Sequence, residues 1–273
     1  MLRIGWFATG RGEGSQKLLR AAIDAIEAGV LDARISFVFS NREPGTYEAT
    51  DNFFSQVKSY GIPLVTLSDS RFRKERGGEV ARAGKPIPAW RREYDEKVVD
   101  LLAPYEWDVG MLAGYYLITT EPLYSLRPLL NLHPAAPDQP AGTWQQVTWQ
   151  LIERRVDHGG IRIHLVTAGL DEGPIVTYCT YPLRGPGIDD LWRSIEGRST
   201  EEIQQAEGEA HPLFQEMRRR GVAREIPLLV ETLRALADGR LSLPRDAGVT
   251  GVEIEPRDLT TDIEAALAKA ALA

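Results

Sequence analysis

The residues best suited to chemistry stand at the end of one predicted strand and in the turn between two later ones. In "LLNLHP", Asn131 and His133 alternate, so their side chains share one face of an extended backbone, and Pro134 ends the strand. Asp171 lies in "TAGLDEGP", a turn between two apolar segments. A carboxylate raises the proton affinity of a nearby histidine, and an asparagine amide can donate to a developing oxyanion. No serine or cysteine nearby is an obvious nucleophile, which favours direct transfer to an incoming amine.

Each of these residues also has a plain structural interpretation. Asn131 and His133 fit an ordinary strand end, and an Asp before Glu-Gly commonly forms a turn. His164 lies between two apolar residues and fits a histidine of the core or its rim. The catalytic interpretation therefore depends on the three side chains of Asn131, His133 and Asp171 acting as a set.

A second polar segment, the glycine loop "GRGEGSQ" (10–16), follows the first predicted strand and precedes a predicted helix. Glycines there allow backbone N–H groups to close on a phosphate at the positive end of the helix. The spacing matches neither the dinucleotide fingerprint G-x-G-x-x-G nor the nucleoside triphosphate loop G-K-[ST]. The loop thus predicts either phosphate binding or a plain tight turn.

Strands and helices alternate through the first two thirds of the chain, which predicts a mostly parallel sheet covered by helices. The predicted parallel strands are "LRIGWFA", "RISFVFSN", "IPLVTLS", "WDVGMLAGY" and "PLLNLH". "GGIRIHLVT" and "GPIVTYCTYPL" predict a further pair around the turn "AGLDEG". From about residue 185 onward the segments, including the tail "DLTTDIEAALAKAALA", are amphipathic and predict helices. Ligands of open α/β sheets bind beyond the carboxyl ends of the strands, where Asn131 and His133 stand.

A basic segment, 69–92, interrupts this alternation with eight cations and several Gly and Pro residues. It predicts an exposed, mobile loop. One interpretation is a solvated surface, and the other is a loop that closes over the site and attracts anionic ligands.

Composition limits the class of protein. The 273 residues carry a net charge of −7, which argues against a general nucleic-acid binder. The one cysteine, Cys179, can form neither an internal disulfide nor a cysteine-rich zinc site. No window of about 18 apolar residues predicts a membrane span, and the first residues do not resemble a signal peptide. We therefore expect a cytoplasmic protein without membrane or nucleic-acid partners.

The quoted motifs also resemble a known family. "NLHP" followed by "HLVTAGLDEGPIV" resembles the folate-dependent formyltransferases, with their N-[IV]-H-P and L-D-x-G-P-[IV] patterns. Upstream, "GEGSQ", "FVFSNR", "REYDEKVVDLL" and "LAGYYLIT" are similar to further family segments in the same order, over roughly residues 1–183. The loop and the "SNR" strand are most similar to the purine-pathway members that formylate glycinamide ribonucleotide. The resemblance implies transfer of a formyl group from 10-formyltetrahydrofolate, as co-substrate, to the primary amine of that nucleotide, without a metal.

The resemblance also implies roles for individual residues. Asn131 and His133 would polarise the formyl group and manage its proton, and Asp171 would raise the pKa of His133. The substrate phosphate would be held by Gly14, Ser15 and Gln16. The folate would be bound by Arg91, Tyr116, Leu117, Ile118, Thr119, Thr167, Ala168, Gly169 and Leu170.

Several positions depart from the family pattern and leave the amine acceptor open. Gln16 replaces an Asn, Leu117 replaces an Arg, and "AAPDQP" replaces the family's S-L-L-P. The family's ribose-reading acid aligns with Val222 in "GVAREIP", with Glu225 or Glu209 as candidate replacements.

The sequence thus predicts a formyltransferase fold: a Rossmann-like α/β, mixed, mostly parallel sheet with flanking helices. The predicted division is a catalytic domain over 1–184 and a helical C-terminal extension over 185–273, in a monomer or homodimer. The alternatives are a formyltransferase for another amine, such as an amino sugar, a formyltetrahydrofolate hydrolase, or a non-catalytic nucleotide-binding module.

Overall fold

Runs of buried apolar residues form the strands of one mixed sheet in the computed structural model, which describes residues 1–82, 85–245, 248 and 253–271. The strands are β1 (Leu2–Phe7), β2 (Ala33–Ser40), β3 (Leu64–Thr66), β4 (Val109–Leu112), β5 (Leu129–His133), β6 (His158–Leu165), β7 (Ile175–Pro182) and β8 (Arg257–Asp258). Within the described residues, their order in the sheet is β3-β2-β1-β4-β5-β6-β7-β8. Strands β1 to β5 pair in parallel, and β6 and β7 pair antiparallel, as the sequence predicts.

Helices follow most of these strands. They are α1 (Glu13–Glu27), α2 (Glu48–Ser59), α3 (Asp69–Glu75), α4 (Ala89–Leu102), α5 (Glu121–Tyr124), α6 (Trp144–Glu153), α7 (Asp189–Arg193), α8 (Thr200–Ala206), α9 (Pro212–Ala237) and α10 (Thr260–Ala270), with a 3₁₀ turn at Gly208–Ala210. The predicted helical C-terminal region is confirmed, although residues 272–273 of the tail lie outside the described part. Among the described helices, none combines the length and apolarity needed to cross a membrane.

The prediction of a loop over 69–92 is wrong at both ends. Helix α3 begins at Asp69, where the Ser68 hydroxyl accepts a hydrogen bond from the Arg71 amide, and Phe72 on this helix is buried. Helix α4 begins at Ala89. Between the helices, residues 83–84 lie outside the described part of the chain.

The described chain divides into two compact units. The first unit comprises Met1–Asn131, Leu165–Pro174 and Thr232–Glu253. Its core is rich in aromatic side chains, with Phe7 and Phe37 edge to face at 5.7 Å between ring centroids.

The second unit comprises Leu132–His164, Ile175–Glu231 and Ile254–Ala273. Its antiparallel pair runs in register from His158 opposite Pro182 to Ile163 opposite Thr177, and the register shifts before His164, which lies opposite Ile175. On α6 and α9, the rings of Trp149 and Phe214 lie 4.7 Å apart between centroids, at an interplanar angle of 38°.

Candidate functional site

The glycine loop enters helix α1 within the first unit. Gly12 caps the helix without a side-chain hydrogen bond, so Gly14, Ser15 and Gln16 lie in its first turn. The first four N–H groups of a helix have no partner within the helix, and this end of the helix dipole is positive. The Ser15 hydroxyl donates to the Gly12 carbonyl at 2.9 Å, and a Cβ on Gly14 would meet no heavy atom within 4 Å. The first turn can therefore accept an anion.

Gly114, after strand β4, lies directly against this turn. Its φ is 74°, a value that residues with an L side chain rarely adopt, and a Cβ there would lie 2.8 Å from the Ser15 Cβ. Glycine is thus required at this position, and it sets the distance between the phosphate loop and the segment that follows β4.

That segment, Tyr116–Thr120, is fixed by a buried ion pair on helix α4. Arg91 Nη2 donates to Asp95 Oδ1 at 2.8 Å and to the Ile118 carbonyl at 2.6 Å. Asp95 Oδ2 accepts from the Thr120 amide at 2.6 Å and from its hydroxyl at 2.7 Å. Both charged side chains have 0% exposure. Burial raises the pKa of Asp95, while Arg91 and Thr120 oppose the shift.

Arg91 therefore lies behind the predicted folate-binding segment, whereas Tyr116 lies on its surface. The Tyr116 side chain is 78% exposed, and its amide donates to the Thr9 hydroxyl at 3.4 Å. Leu170, in the predicted turn segment 167–170, is also an exposed apolar side chain. Exposed aromatic and aliphatic groups such as these can cover the faces of a planar ligand.

Asn131 and Asp171, which are 40 residues apart in the chain, lie side by side. Asn131 Nδ2 donates to Asp171 Oδ1 at 3.2 Å. Asp171 has a φ of 58°, an uncommon conformation for a residue other than glycine. The turn that carries it is closed by a hydrogen bond from the Leu165 amide to the Pro174 carbonyl at 2.9 Å. A Cβ on Gly173 would lie 1.8 Å from the Leu165 carbonyl oxygen, so only glycine fits there.

His133, the next but one residue of β5 after Asn131, is buried in the second unit beside His164. The two imidazole rings lie 6.2 Å apart between centroids, at an interplanar angle of 76°. His164 is 2% exposed, in line with the core interpretation.

Two other groups of predicted residues have local partners. In the basic segment, Arg76 contacts Glu93 at 2.5 Å and Arg92 contacts Glu121 at 2.8 Å, so part of its charge is neutralised locally. In helix α9, Val222 is exposed, and Glu225 accepts from Arg218 at 2.8 Å.

Sequence reasoning from chemistry missed a cavity of about 490 Å³ beyond the carboxyl ends of β1 and β2. Its lining includes Thr9, Arg11, Asn41, Arg42, Asp69 and Tyr116. The Thr9 hydroxyl donates to Asn41 Oδ1 at 2.9 Å, and Asn41 Nδ2 donates to Asp69 Oδ1 at 3.1 Å. The sequence signal that could have indicated this cavity is "SNR", three polar residues at the carboxyl end of a predicted strand, where ligands of α/β sheets bind.

An α/β sheet with an anion-accepting loop and a polar strand end fits a class of proteins that act on small anionic ligands. Residues 6–183 match the formyl transferase family, so the chain belongs to that family. It is 25% identical over 256 residues to phosphoribosylglycinamide formyltransferase of Escherichia coli strain K12, covering 92% of this chain and 96% of that relative. It is 32% identical over 152 residues to formyltetrahydrofolate deformylase of Bacillus subtilis strain 168, covering 55% of this chain and 42% of that relative.

A solved structure agrees with the fold. The crystal structure of glycinamide ribonucleotide transformylase 1 from Symbiobacterium toebii aligns with a TM-score of 0.60 and 24% identity, covering 90% of this chain and 92% of that chain.

Proposed function

We propose that the protein transfers the formyl group of 10-formyltetrahydrofolate to the primary amine of glycinamide ribonucleotide, a step of purine biosynthesis. The observation that carries the proposal is the contact between Asn131 and Asp171. Asn131 lies on the strand that also bears His133, and all three residues lie within the family match. Further support comes from the Escherichia coli relative, which this chain covers along 96% of its length.

In the proposed reaction, the amine nitrogen attacks the formyl carbon, and the carbonyl oxygen becomes an oxyanion. The Asn131 amide and the His133 ring donate hydrogen bonds to that oxyanion. A proton from the attacking amine passes to the folate nitrogen through His133 or water, and Asp171 supports the protonated ring. The bond from carbon to the folate nitrogen then breaks, which leaves a formamide and tetrahydrofolate.

The binding roles are proposed on the same basis. The first turn of α1, at Gly14, Ser15 and Gln16, holds the phosphate of the nucleotide. Residues 116–119 and 167–170 line the folate pocket, and Arg91 supports the first of these segments through Ile118 rather than from an exposed position.

The division at residue 184 also stays a proposal. The family match ends at residue 183, which supports a catalytic domain over 1–184 followed by a helical extension. A cytoplasmic location and a monomeric or homodimeric state remain predictions.

A second candidate function is hydrolysis of formyltetrahydrofolate. It is favoured by the 32% identity to the Bacillus subtilis deformylase, although this chain spans 42% of that relative. In this case water would replace the amine as the nucleophile.

One assay separates the two functions. Purified protein is incubated with 10-formyltetrahydrofolate, with and without glycinamide ribonucleotide, and tetrahydrofolate, formylated nucleotide and formate are measured. We expect tetrahydrofolate to form in equal amount to the formylated nucleotide. Formate release at the same rate without the amine would support the hydrolase, and no turnover of the folate would refute both.

A further inference from the structure

Two arginines meet at one tyrosine ring beside the cavity at the ends of β1 and β2. The Arg42 guanidinium carbon lies 4.7 Å from the centroid of the Tyr47 ring, and that of Arg11 lies 5.9 Å from it. Both arginines line the cavity, and so does Gly12, the cap of helix α1. A tyrosine ring in contact with two guanidinium groups stabilises both charges through cation–π interactions.

These two charges lack an acidic partner within the described residues. Glu43, the acid next to Arg42, pairs with Arg71 instead. Asp69 lines the cavity, but its Oδ1 is bound by the Asn41 amide. Among the described residues, the guanidinium groups of Arg11 and Arg42 make no hydrogen bond, and Arg42 Nε is buried without an acceptor.

Arg42 Nε is a buried donor, whereas the Arg11 side chain is exposed. A buried donor without an acceptor is unfavourable, and more so when the group is charged. Guanidinium groups match phosphate and carboxylate oxygens with two parallel N–H donors. The cavity, at about 490 Å³, has room for an anionic group together with the scaffold that carries it.

We propose that Arg11 and Arg42 form an anion subsite for the phosphate of the amine acceptor, next to the backbone amides of Gly14, Ser15 and Gln16. The proposal rests on the proposed function and deepens it. The loop amides carry only partial charges, whereas two guanidiniums favour the dianion of a phosphomonoester. The acceptor is then a phosphorylated amine, and an unphosphorylated amino sugar is a poor substrate.

Direct binding tests the subsite without any turnover. Calorimetric titration of the full chain with ribose 5-phosphate, and with inorganic phosphate, is compared among the parent, Arg42→Gln, Arg11→Gln and Arg34→Gln. Arg34 is exposed near the start of β2, at the other end of the strand, and its variant changes the net charge equally. We expect each of the first two variants to bind ribose 5-phosphate about 10-fold to 100-fold more weakly, as for the loss of a hydrogen bond to a charged group. Arg34→Gln should bind within about 2-fold of the parent, because screening weakens distant exposed charges.

Kinetics then identify which substrate carries the anion. We expect the KM of the amine acceptor to rise in Arg42→Gln with kcat little changed and the KM of the folate unchanged. A rise in the folate KM alone would assign the subsite to the glutamate carboxylates and overturn the proposal. Binding in both variants equal to that in Arg34→Gln would also overturn it.

Two further measurements keep the outcome clear. Circular dichroism and a thermal melt check the fold, and the exposed Arg11 decides the test if Arg42→Gln does not fold. If ribose 5-phosphate binding is lost in the variants while the parent transfers no formyl group, the proposed function fails and the subsite stands.

Discussion

The ion pair behind the segment Tyr116–Thr120 gives a quantitative prediction for Asp95→Asn. The carboxylate accepts hydrogen bonds from Arg91 Nη2, from the Thr120 amide and from the Thr120 hydroxyl, at 2.6–2.8 Å. An asparagine retains one acceptor oxygen, and its NH₂ group turns a donor toward another donor. The variant therefore leaves the fully buried Arg91 charge without compensation. Losing one partner of a buried pair costs about 3–5 kcal/mol of unfolding free energy.

The assay is unfolding by urea, followed by circular dichroism, together with a thermal melt. Each kcal/mol lost should lower the melting temperature by roughly 2–4 °C. Asp100→Asn on the same helix is the matched control, because Asp100 is 70% exposed and contacts Lys97 at 3.5 Å. We expect the control to change stability by less than about 0.5 kcal/mol.

The same variant should act on folate binding through the segment that the ion pair holds. In enzyme that remains folded, we expect a higher KM for 10-formyltetrahydrofolate in Asp95→Asn than in Asp100→Asn. If the two variants have the same unfolding free energy and the same KM, the ion pair does not hold the segment, and the reasoning is wrong.

Three further predictions concern histidines and the turn. His133→Ala should lower kcat by about 10² or more, the scale for losing a positioned proton-transfer group, and turnover within a few-fold of the parent would contradict its role. Asp171→Asn should lower the rate and shift the pH–rate profile while the thermal melt stays close to that of the parent; a loss explained wholly by unfolding would support a turn-forming role instead. The His158 ring donates a hydrogen bond from Nδ1 to Asp157 Oδ1 at 2.8 Å, and this bond raises the pKa of His158, so the folded state binds the proton more tightly than the unfolded chain. This stabilisation is full below the unfolded pKa of about 6.5 and is lost as pH rises through the folded pKa. His158→Gln should therefore show a smaller fall in unfolding free energy between pH 6 and pH 8 than the parent. An equal dependence of unfolding free energy on pH in both proteins would refute the assignment.

Much of the fold could be predicted because hydrophobic patterns report burial directly. The parallel strands and the antiparallel pair around "AGLDEG" follow from such patterns. Helix α3 was missed because its cations and the neighbouring glycines outweighed two local signals, the Ser68 cap and the apolar Phe72. Strand β8 has two exposed residues and depends on pairing with β7, which no local pattern reveals.

The site could be predicted less completely than the fold. The Asn131–Asp171 contact agrees with the set inferred from residue types, since both motifs place polar groups at strand ends. The complete burial of Arg91 could not be inferred from its match to a family position, because burial depends on what packs around it. The meeting of Arg11 and Arg42 at Tyr47 likewise depends on how two loops approach each other in space.

The contact between Gly114 and Ser15 has a consequence for how the two proposed ligands affect each other's binding. Gly114 leads directly into the segment proposed for folate, and Ser15 lies in the turn proposed for phosphate. A Cβ on Gly114 would lie 2.8 Å from the Ser15 Cβ, so the two loops pack directly against each other. Anything that orders one loop therefore restricts the other. Thermodynamic linkage then requires reciprocity: the factor by which a phosphorylated acceptor tightens folate binding equals the factor by which folate tightens binding of the acceptor.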